Sequence, residues 1–206
     1  MAERAAQIPR LMILSQPHAI DRFTTLLQAG IIIGINYPLA VGDFLASLPG
    51  FTPLYIAERV ETIFLNGLPV DDLTTKITGS NPVLAISAAM PGLAGAIFRK
   101  NSFHAALRTT AARGDDDYLR NSKKIAVLLK LFNMVARERG GELLAKGCLL
   151  KTDTLRKFIA YRPQLLAEMV DCRYNDRTIN TKELQNYLGQ SDTVFLRIEE
   201  NHDNNR

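Results

Sequence analysis

Short apolar runs and amphipathic stretches alternate along the chain, and the change of period predicts its elements. Residues 11–14 and 125–129 are uninterrupted apolar runs of strand length. Each precedes a stretch with helical spacing, residues 19–28 and 132–146, which is followed by a glycine and a further apolar run. The pattern therefore predicts the order strand, helix, strand twice, about 110 residues apart.

A second helix is predicted in each copy from apolar residues that recur on one face. A stripe of this kind indicates a helix that covers one side of a sheet. The Gly140-Gly141 pair is expected to interrupt the preceding helix of the second copy, because glycine costs about 1 kcal/mol relative to alanine in a helix. The apolar positions of the stripe are Val41, Phe44, Leu45 and Leu48 in the first copy and Leu155, Phe158 and Ile159 in the second.

A hairpin and a closing strand complete each copy. Asn66-Gly67 lies between two apolar runs and predicts a type I′ turn, because asparagine and glycine tolerate positive φ best. Asn175-Asp176 is the corresponding turn of the second copy. The closing strands alternate in register, so we expect the side chains of Leu84 and Ile86, like those of Val194 and Leu196, to lie on one face.

The doubled pattern predicts an α+β protein with two tandem domains, each a mixed sheet that clasps a helix. We place the first domain at residues 1–96, a connecting segment at 97–122 and the second domain at 123–206. Hydrophobic residues make up 47% of the chain and charged residues 22%, which is typical of a folded protein rather than a disordered one. Each half can therefore bury a core of its own.

Several short motifs resemble the ubiquitin-like β-grasp superfamily, in particular its sulfur carriers, the small subunit of molybdopterin synthase and the thiamine sulfur carrier. Residues 39–45 resemble the helix entry of that family, and residues 63–70, with Asn66-Gly67, resemble its strand and hairpin. Residues 83–96, which include Met-Pro-Gly-Leu-Ala-Gly at 90–95, are similar to its closing strand and glycine-containing tail. In the second copy, Leu131-Phe132 and Ala136-Arg137-Glu138 resemble the opening strand and helix. The resemblance implies two ubiquitin-like β-grasp domains.

The resemblance also implies two functions. Sulfur carriers act through a free C-terminal Gly-Gly, whereas this sequence ends Asp203-Asn204-Asn205-Arg206 and its nearest match, Leu93-Ala94-Gly95-Ala96, is internal. A sulfur carrier for cofactor biosynthesis would therefore require cleavage after Gly95. The function we expect instead is the family's use of a β-grasp surface as a non-catalytic adaptor that binds another protein.

The expected docking site is the uncharged stretch after the first closing strand together with the basic residues that follow it. An apolar contact with a basic rim is typical of a protein interface. An alternative is that Leu93, Ile97 and Phe98 pack between the two copies or form an extra strand that pairs them. The candidate partner-binding residues are Met90, Pro91, Gly92, Leu93, Gly95, Ile97, Phe98, Arg99 and Lys100.

The net charge of +4 comes from the later part of the chain. Residues 123–206 carry fifteen basic and eleven acidic side chains, whereas residues 1–95 carry five basic and seven acidic ones. A basic second copy makes an RNA-binding β-grasp module a further alternative, although aromatic residues do not interleave with the basic ones. Unpaired sheet edges could also join copies into an oligomer.

No pattern of reactive residues predicts an enzyme. Cys148 and Cys172 form no Cys-x-x-Cys pair, the three histidines are scattered, and Ser102 and His104 lack a third catalytic group. We therefore expect no catalysis, no metal and no cofactor.

Two uncharged stretches, residues 23–42 and 77–98, are long enough to be considered as membrane spans. Both contain prolines and polar residues, which favour strands and turns over a membrane-spanning helix. No signal-peptide core is seen either, so we expect a cytoplasmic protein.

Overall fold

The computed structural model describes residues 8–108 and 124–201. Its strands are β1 Arg10–Ser15, β2 Ile31–Ile35, β3 Thr62–Leu65, β4 Leu68–Pro69, β5 Val83–Ser87, β6 Ile125–Phe132, β7 Cys148–Lys151, β8 Met169–Tyr174, β9 Arg177–Thr178 and β10 Thr193–Glu200. Its α-helices are α1 Ile20–Phe23, α2 Val41–Ala46, α3 Pro53–Arg59, α4 Gly92–Phe98, α5 Asn133–Lys146, α6 Thr152–Ala160 and α7 Leu184–Leu188. Short 3₁₀ helices cover Thr24–Gln28, Phe103–Leu107 and Pro163–Glu168.

The chain divides into two units that interleave in sequence. The central unit runs from Ile32 to Gly140, and the terminal unit combines the chain up to Ile31 with the chain from Gly141 onward. This division does not follow the predicted domains 1–96 and 123–206. The reason is strand pairing: β1 hydrogen-bonds with β8 and β10 of the later repeat, and β6 pairs with β5 of the earlier one.

In the central unit the strand order is β4-β3-β5-β6-β2. Strand β3 is antiparallel to both β4 and β5, and β5 is parallel to β6. The opening strand of the second repeat therefore lies beside the closing strand of the first, and together they form the parallel centre of this sheet.

In the terminal unit the order is β7-β10-β1-β8-β9. Strand β1 is parallel to β10 and antiparallel to β8, while β10 is antiparallel to β7 and β8 is antiparallel to β9. Here β1 lies between the closing strand β10 and the hairpin, whereas in the central unit the closing strand β5 adjoins the hairpin directly. Both units combine helices with a mixed sheet, which confirms the α+β class.

The predicted apolar faces form the two cores. In the central unit the buried side chains of α2 and the strands include Val41, Phe44, Leu45, Ile63, Leu84, Ile86, Val127, Leu129 and Leu131. In the terminal unit the buried side chains of the helices and strands include Leu11, Ile13, Phe23, Leu155, Phe158, Ile159, Val194, Leu196 and Ile198. The alternation predicted for the closing strands is confirmed, because Leu84 and Ile86 of β5 and Val194, Leu196 and Ile198 of β10 are buried at every second position; Ser87 at the end of β5 is buried as well.

Both predicted hairpin turns are confirmed. Asn66 and Gly67 have φ of 52° and 81°, and Asn175 and Asp176 have φ of 49° and 65°. Two consecutive residues with positive φ are what a type I′ turn requires. Each turn leads into an edge strand of only two residues, β4 or β9.

The predicted connecting segment 97–122 is described as far as residue 108. Residues 97–108 are not a solvated linker, because they form the end of α4 and the 3₁₀ helix Phe103–Leu107 and bind to the central unit. The rest of the segment, including Arg113-Gly114-Asp115, lies outside the described residues. Across residues 8–108 and 124–201, no helix combines the length and apolarity needed to cross a membrane.

Candidate protein-docking surface

The predicted site residues lie on a segment that we call the strap, residues 90–108 of the central unit. The strap leaves the sheet after β5, forms α4, and continues into the 3₁₀ helix Phe103–Leu107. Helix α4 begins after Pro91, whose backbone is extended, at Gly92, whose φ of +76° is one that side chains rarely adopt. It ends at Arg99, which returns to the extended conformation.

Gly95 is the buried residue of α4 and holds the helix close to the chain that precedes it. A Cβ atom at this position would lie 1.8 Å from the carbonyl oxygen of Met90, so only glycine fits. Gly95 therefore lies inside a helix, with its backbone packed against Met90. Cleavage after Gly95, which the sulfur-carrier alternative requires, would have to cut this helix.

One aromatic side chain fixes the inner side of the strap to the sheet. The Phe98 ring packs on the Phe64 ring of β3, with centroids 5.4 Å apart, and both side chains are half-buried. Such pairs contribute about 0.5–1.5 kcal/mol beyond the burial of their area. Phe98 and the half-buried Ile97 thus serve packing within the central unit, and the stretch is helical rather than the extra strand that the alternative expected.

Three large apolar side chains of the strap are exposed. Leu93 on α4 is 70% exposed, and Phe103 and Leu107, four residues apart on the 3₁₀ helix, are 96% and 65% exposed. Helix α4 and the 3₁₀ helix pack against each other, so these side chains belong to one small substructure. Packing among the described residues of the central unit, 32–108 and 124–140, does not account for their apolar surface.

Arg99 and Lys100 anchor the strap to the end of α3. Arg99 forms a two-point ion pair with Glu61, in which Nη2 donates to Oε1 at 2.8 Å and Nε donates to Oε2. The Lys100 ammonium group donates to the carbonyl oxygens of Ile56 at 3.1 Å and Val60 at 3.0 Å. A cation here satisfies carbonyl groups that the helix leaves free at its C-terminus. Burial lowers the pKa of Lys100, against the opposing effect of the Glu61 charge.

A second anchor joins Arg108 to Asp71 in the loop after the hairpin. The Arg108 side chain is only 8% exposed and donates to both carboxylate oxygens of Asp71. It also donates to the carbonyl oxygens of Ile97 at 2.9 Å and Arg99 at 2.8 Å. Burial alone would raise the pKa of Asp71, but hydrogen bonds from Arg108 and from the Asn101 amide, with the Arg108 charge, hold that pKa below its ordinary value.

The residues with reactive side chains near the strap have structural roles. The Ser102 hydroxyl donates to the carbonyl oxygen of Ala96 and accepts the backbone amide of His104 at 2.9 Å, so it caps the 3₁₀ helix. The His104 ring packs edge-on against the Phe103 ring. Among the described residues, no three His, Cys, Asp or Glu side chains form a group that could hold a metal ion.

The two cysteines belong to the terminal unit and are buried on β7 and β8. Burial raises the pKa of the Cys148 thiol to about 12. Burial, with a smaller contribution from the Asp171 charge, also raises the pKa of Cys172 to about 12. The thiolate is the nucleophilic form of cysteine, so both side chains act as small apolar groups.

The sequence predicted the first part of the strap, residues 90–100, but not the part that follows. All nine predicted residues lie on it, although Gly95, Ile97 and Phe98 support the strap rather than form its exposed surface. Phe103, Leu107 and the Asp71–Arg108 pair were not predicted. The spacing of Phe103 and Leu107 was a signal that could have drawn attention to them.

No protein-family model, no curated protein and no solved structure matches the chain.

Proposed function

We propose that this protein is a non-catalytic adaptor that binds another protein through the exposed side of the strap. The proposal includes a fold assignment, namely that the two units are divergent ubiquitin-like β-grasp domains related to sulfur carriers that exchanged their opening strands. In the central unit, a helix with a buried apolar face lies over a mixed sheet that contains a type I′ hairpin, and this arrangement supports the assignment.

The exposure of Leu93, Phe103 and Leu107 is the observation that carries the proposal. Exposed apolar residues are ordinary when they are scattered, but these three lie on two helices that pack against each other. We infer that they form one apolar patch, and patches of this kind mark interaction sites. The strap is also held in its middle by the Arg99–Glu61 ion pair and the Phe98–Phe64 contact, and at its end by the Arg108–Asp71 ion pair. An anchored surface loses little conformational entropy on binding, which favours affinity.

The partner that fits this surface is a protein segment with an apolar face and acidic neighbours. The Arg99 side chain is 58% exposed even while it is paired with Glu61. Its guanidinium group can therefore also bind a carboxylate of the partner at the rim of the patch. A peripheral charge of this kind mainly raises the association rate and fixes how the partner is aligned, and it adds little to the affinity. The apolar centre would supply most of the binding energy.

Site-specific photo-crosslinking in cells of the native host tests the proposal. A photoreactive phenylalanine analogue at Phe103 is expected to form a discrete adduct with one protein. The matched control carries the analogue at Tyr161, which is 81% exposed on the terminal unit and is expected to form no such adduct.

The double substitution Leu93→Ser with Leu107→Ser provides the quantitative test. Loss of two apolar anchors is expected to weaken binding of the identified partner by about 30-fold or more, which corresponds to roughly 2 kcal/mol. Thermal unfolding should change little, because exposed substitutions usually alter stability by about 0.5 kcal/mol or less. Equal adduct patterns at positions 103 and 161, or unchanged affinity in the double variant, would contradict the proposal.

A further inference from the structure

The outward face of the terminal-unit sheet carries an ordered arrangement of charges that the proposed adaptor function does not use. Strands β8, β1 and β10 are neighbours at this point. On β1 the side chains of Leu11 and Ile13 are buried in the core, whereas Met12 and Leu14 are half-buried on the opposite face. The outward face is therefore built from the alternate residues of these three strands.

The strand register places those residues in two rows. Met12 lies between Arg173 of β8 and Arg197 of β10, because it is paired with both in the sheet. Leu14 lies in the same way between Asp171 and Glu199. One row thus presents two arginines around an apolar residue, and the next row presents two carboxylates around another. We call these six residues the two-row face.

The charges of the two-row face are accessible. The side chains of Arg173 and Arg197 are 57% and 45% exposed, and those of Asp171 and Glu199 are 28% and 41% exposed. Each arginine pairs with the carboxylate two positions away on its own strand, and the Arg173 Nε to Asp171 Oδ2 distance is 2.8 Å. Exposed ion pairs contribute little to stability, so a partner can bind these charges at little cost.

The shape of the two-row face favours a flat partner over a small ligand. Its open depression has a volume of about 160 Å³ and is lined by the six residues and Ile13. Sites for small molecules usually enclose roughly 300–1,000 Å³. A second protein surface fits this depression better than a bound metabolite does.

We propose that the two-row face is a self-association surface that binds a second copy of this chain about a two-fold axis. The axis lies in the plane of the interface, runs across the strands, and passes between the two rows. Rotation about it brings the arginine row of each copy onto the carboxylate row of the other and places Met12 on Leu14. The pattern is self-complementary, as an isologous dimer requires.

The same pattern excludes competing arrangements. A two-fold axis parallel to the strands would bring arginines onto arginines and carboxylates onto carboxylates, which is repulsive. A nucleic acid would meet two carboxylates beside the arginines that its phosphates need. Arg10, in the next row along β1, lies with its guanidinium carbon 5.6 Å from the centre of the Phe195 ring, so it stays at the periphery of the contact.

Charge reversal in the full-length chain tests this proposal by sedimentation equilibrium. The unmodified protein is expected to dimerise with a dissociation constant of roughly 10 µM. Dimerisation should weaken as the salt concentration rises, because salt screens the attraction between the charged rows. The variant Arg173→Glu with Arg197→Glu has only acidic rows, and the variant Asp171→Arg with Glu199→Arg has only basic rows. Each is expected to lose at least about tenfold in self-affinity. An equimolar mixture of the two should restore the dimer.

The control variant, Arg156→Glu with Lys182→Glu, changes net charge by the same amount as the acidic variant but alters exposed residues outside the two-row face. It should dimerise like the unmodified protein. Circular dichroism of each variant checks that the fold is retained, and restored association in the mixture shows that both variants are folded.

Three results would overturn the proposal: a monomeric unmodified protein at about 100 µM and low salt, a mixture that stays monomeric, or a control that dissociates as far as the charge variants. RNA binding by the unmodified protein that the acidic variant loses, with no dimer in the unmodified chain, would assign the face to nucleic acid instead. Loss of partner adducts at Phe103 would leave the dimer unaffected, so the two proposals fail separately.

Discussion

At the scale of single residues, the Asp71–Arg108 pair controls how firmly the strap is held. Its members are 37 positions apart in sequence, and Arg108 also bonds to two carbonyl groups of the strap. The pKa of Asp71 is lower in the folded protein than its ordinary value. The contribution of this carboxylate to stability is therefore present above the unfolded-state pKa of about 3.9 and is lost as the pH falls through the folded-state pKa.

We expect the Asn101 amide, which donates to Asp71, to report this titration by NMR. Its chemical shift should change with a midpoint below about 3.9 in the unmodified protein. In Arg108→Met the midpoint should move upward, because the burial that opposes ionisation remains while the cation is gone. The matched variant Arg22→Met, which removes an exposed arginine from the terminal unit, should leave the midpoint unchanged. Equal midpoints in the Arg108→Met variant and the unmodified protein would show that the pair does not hold the strap.

Residue chemistry was predictable where it is local and unpredictable where it depends on tertiary contacts. The Asn66-Gly67 turn follows from backbone preferences of two adjacent residues, and the structure confirms it. The role of Lys100 could not be predicted in the same way. Its contacts with the end of α3 require the strap to fold back onto the sheet, and no short-range pattern encodes that return.

At the scale of elements, α5 shows packing overriding propensity. The predicted interruption at Gly140-Gly141 is wrong, because α5 continues through Asn133–Lys146. Two glycines cost about 2 kcal/mol of helix propensity, which the surrounding helix and its buried apolar side chains Val135, Leu143 and Leu144 offset. A Cβ atom at Gly141 would meet Ile20 Cγ2 at 3.7 Å, an ordinary contact.

Gly141→Ala is therefore expected to stabilise the protein by about 0.5–1 kcal/mol, through helix propensity and a more restricted unfolded chain. Gly147→Ala at the end of the same helix is the opposing control. Gly147 has φ of +95°, and a Cβ atom there would lie 2.3 Å from the Phe195 ring, so this variant should be destabilised by at least about 1 kcal/mol. Thermal unfolding measures both. A lower midpoint for Gly141→Ala than for the unmodified protein would contradict this account.

At the scale of the whole molecule, the pairing of strands between repeats could not be predicted. The opening strands of both repeats are apolar runs of similar length. Judged by the hydrophobic pattern alone, each strand could therefore pair within either sheet. Periodicity predicts that a strand exists and which face is buried, as for β5 and β10. Which neighbour it selects depends on long-range packing, and this is why the predicted boundaries near residues 96 and 123 differ from the observed units.

Strand exchange predicts that a cut between the repeats leaves the protein assembled. With a protease site inserted between residues 109 and 123, both fragments should co-elute in size-exclusion chromatography after cleavage, because β1 stays bonded to β8 and β10 and β6 stays bonded to β5. A separately expressed fragment of residues 1–96 should not unfold cooperatively, since β1 lacks both neighbours. Fragments that separate without denaturant would contradict the observed pairing.

The position of β1 between two late strands also determines when the terminal unit can fold during synthesis. Arg10 pairs with Phe195, so its neighbour in the sheet leaves the ribosome about 185 residues later. At roughly 5–20 residues per second this is a delay of about 10–40 seconds. During that interval an apolar strand with unpaired edges is exposed on the nascent polypeptide, so the sheet of the terminal unit is completed only after β10 has been synthesised.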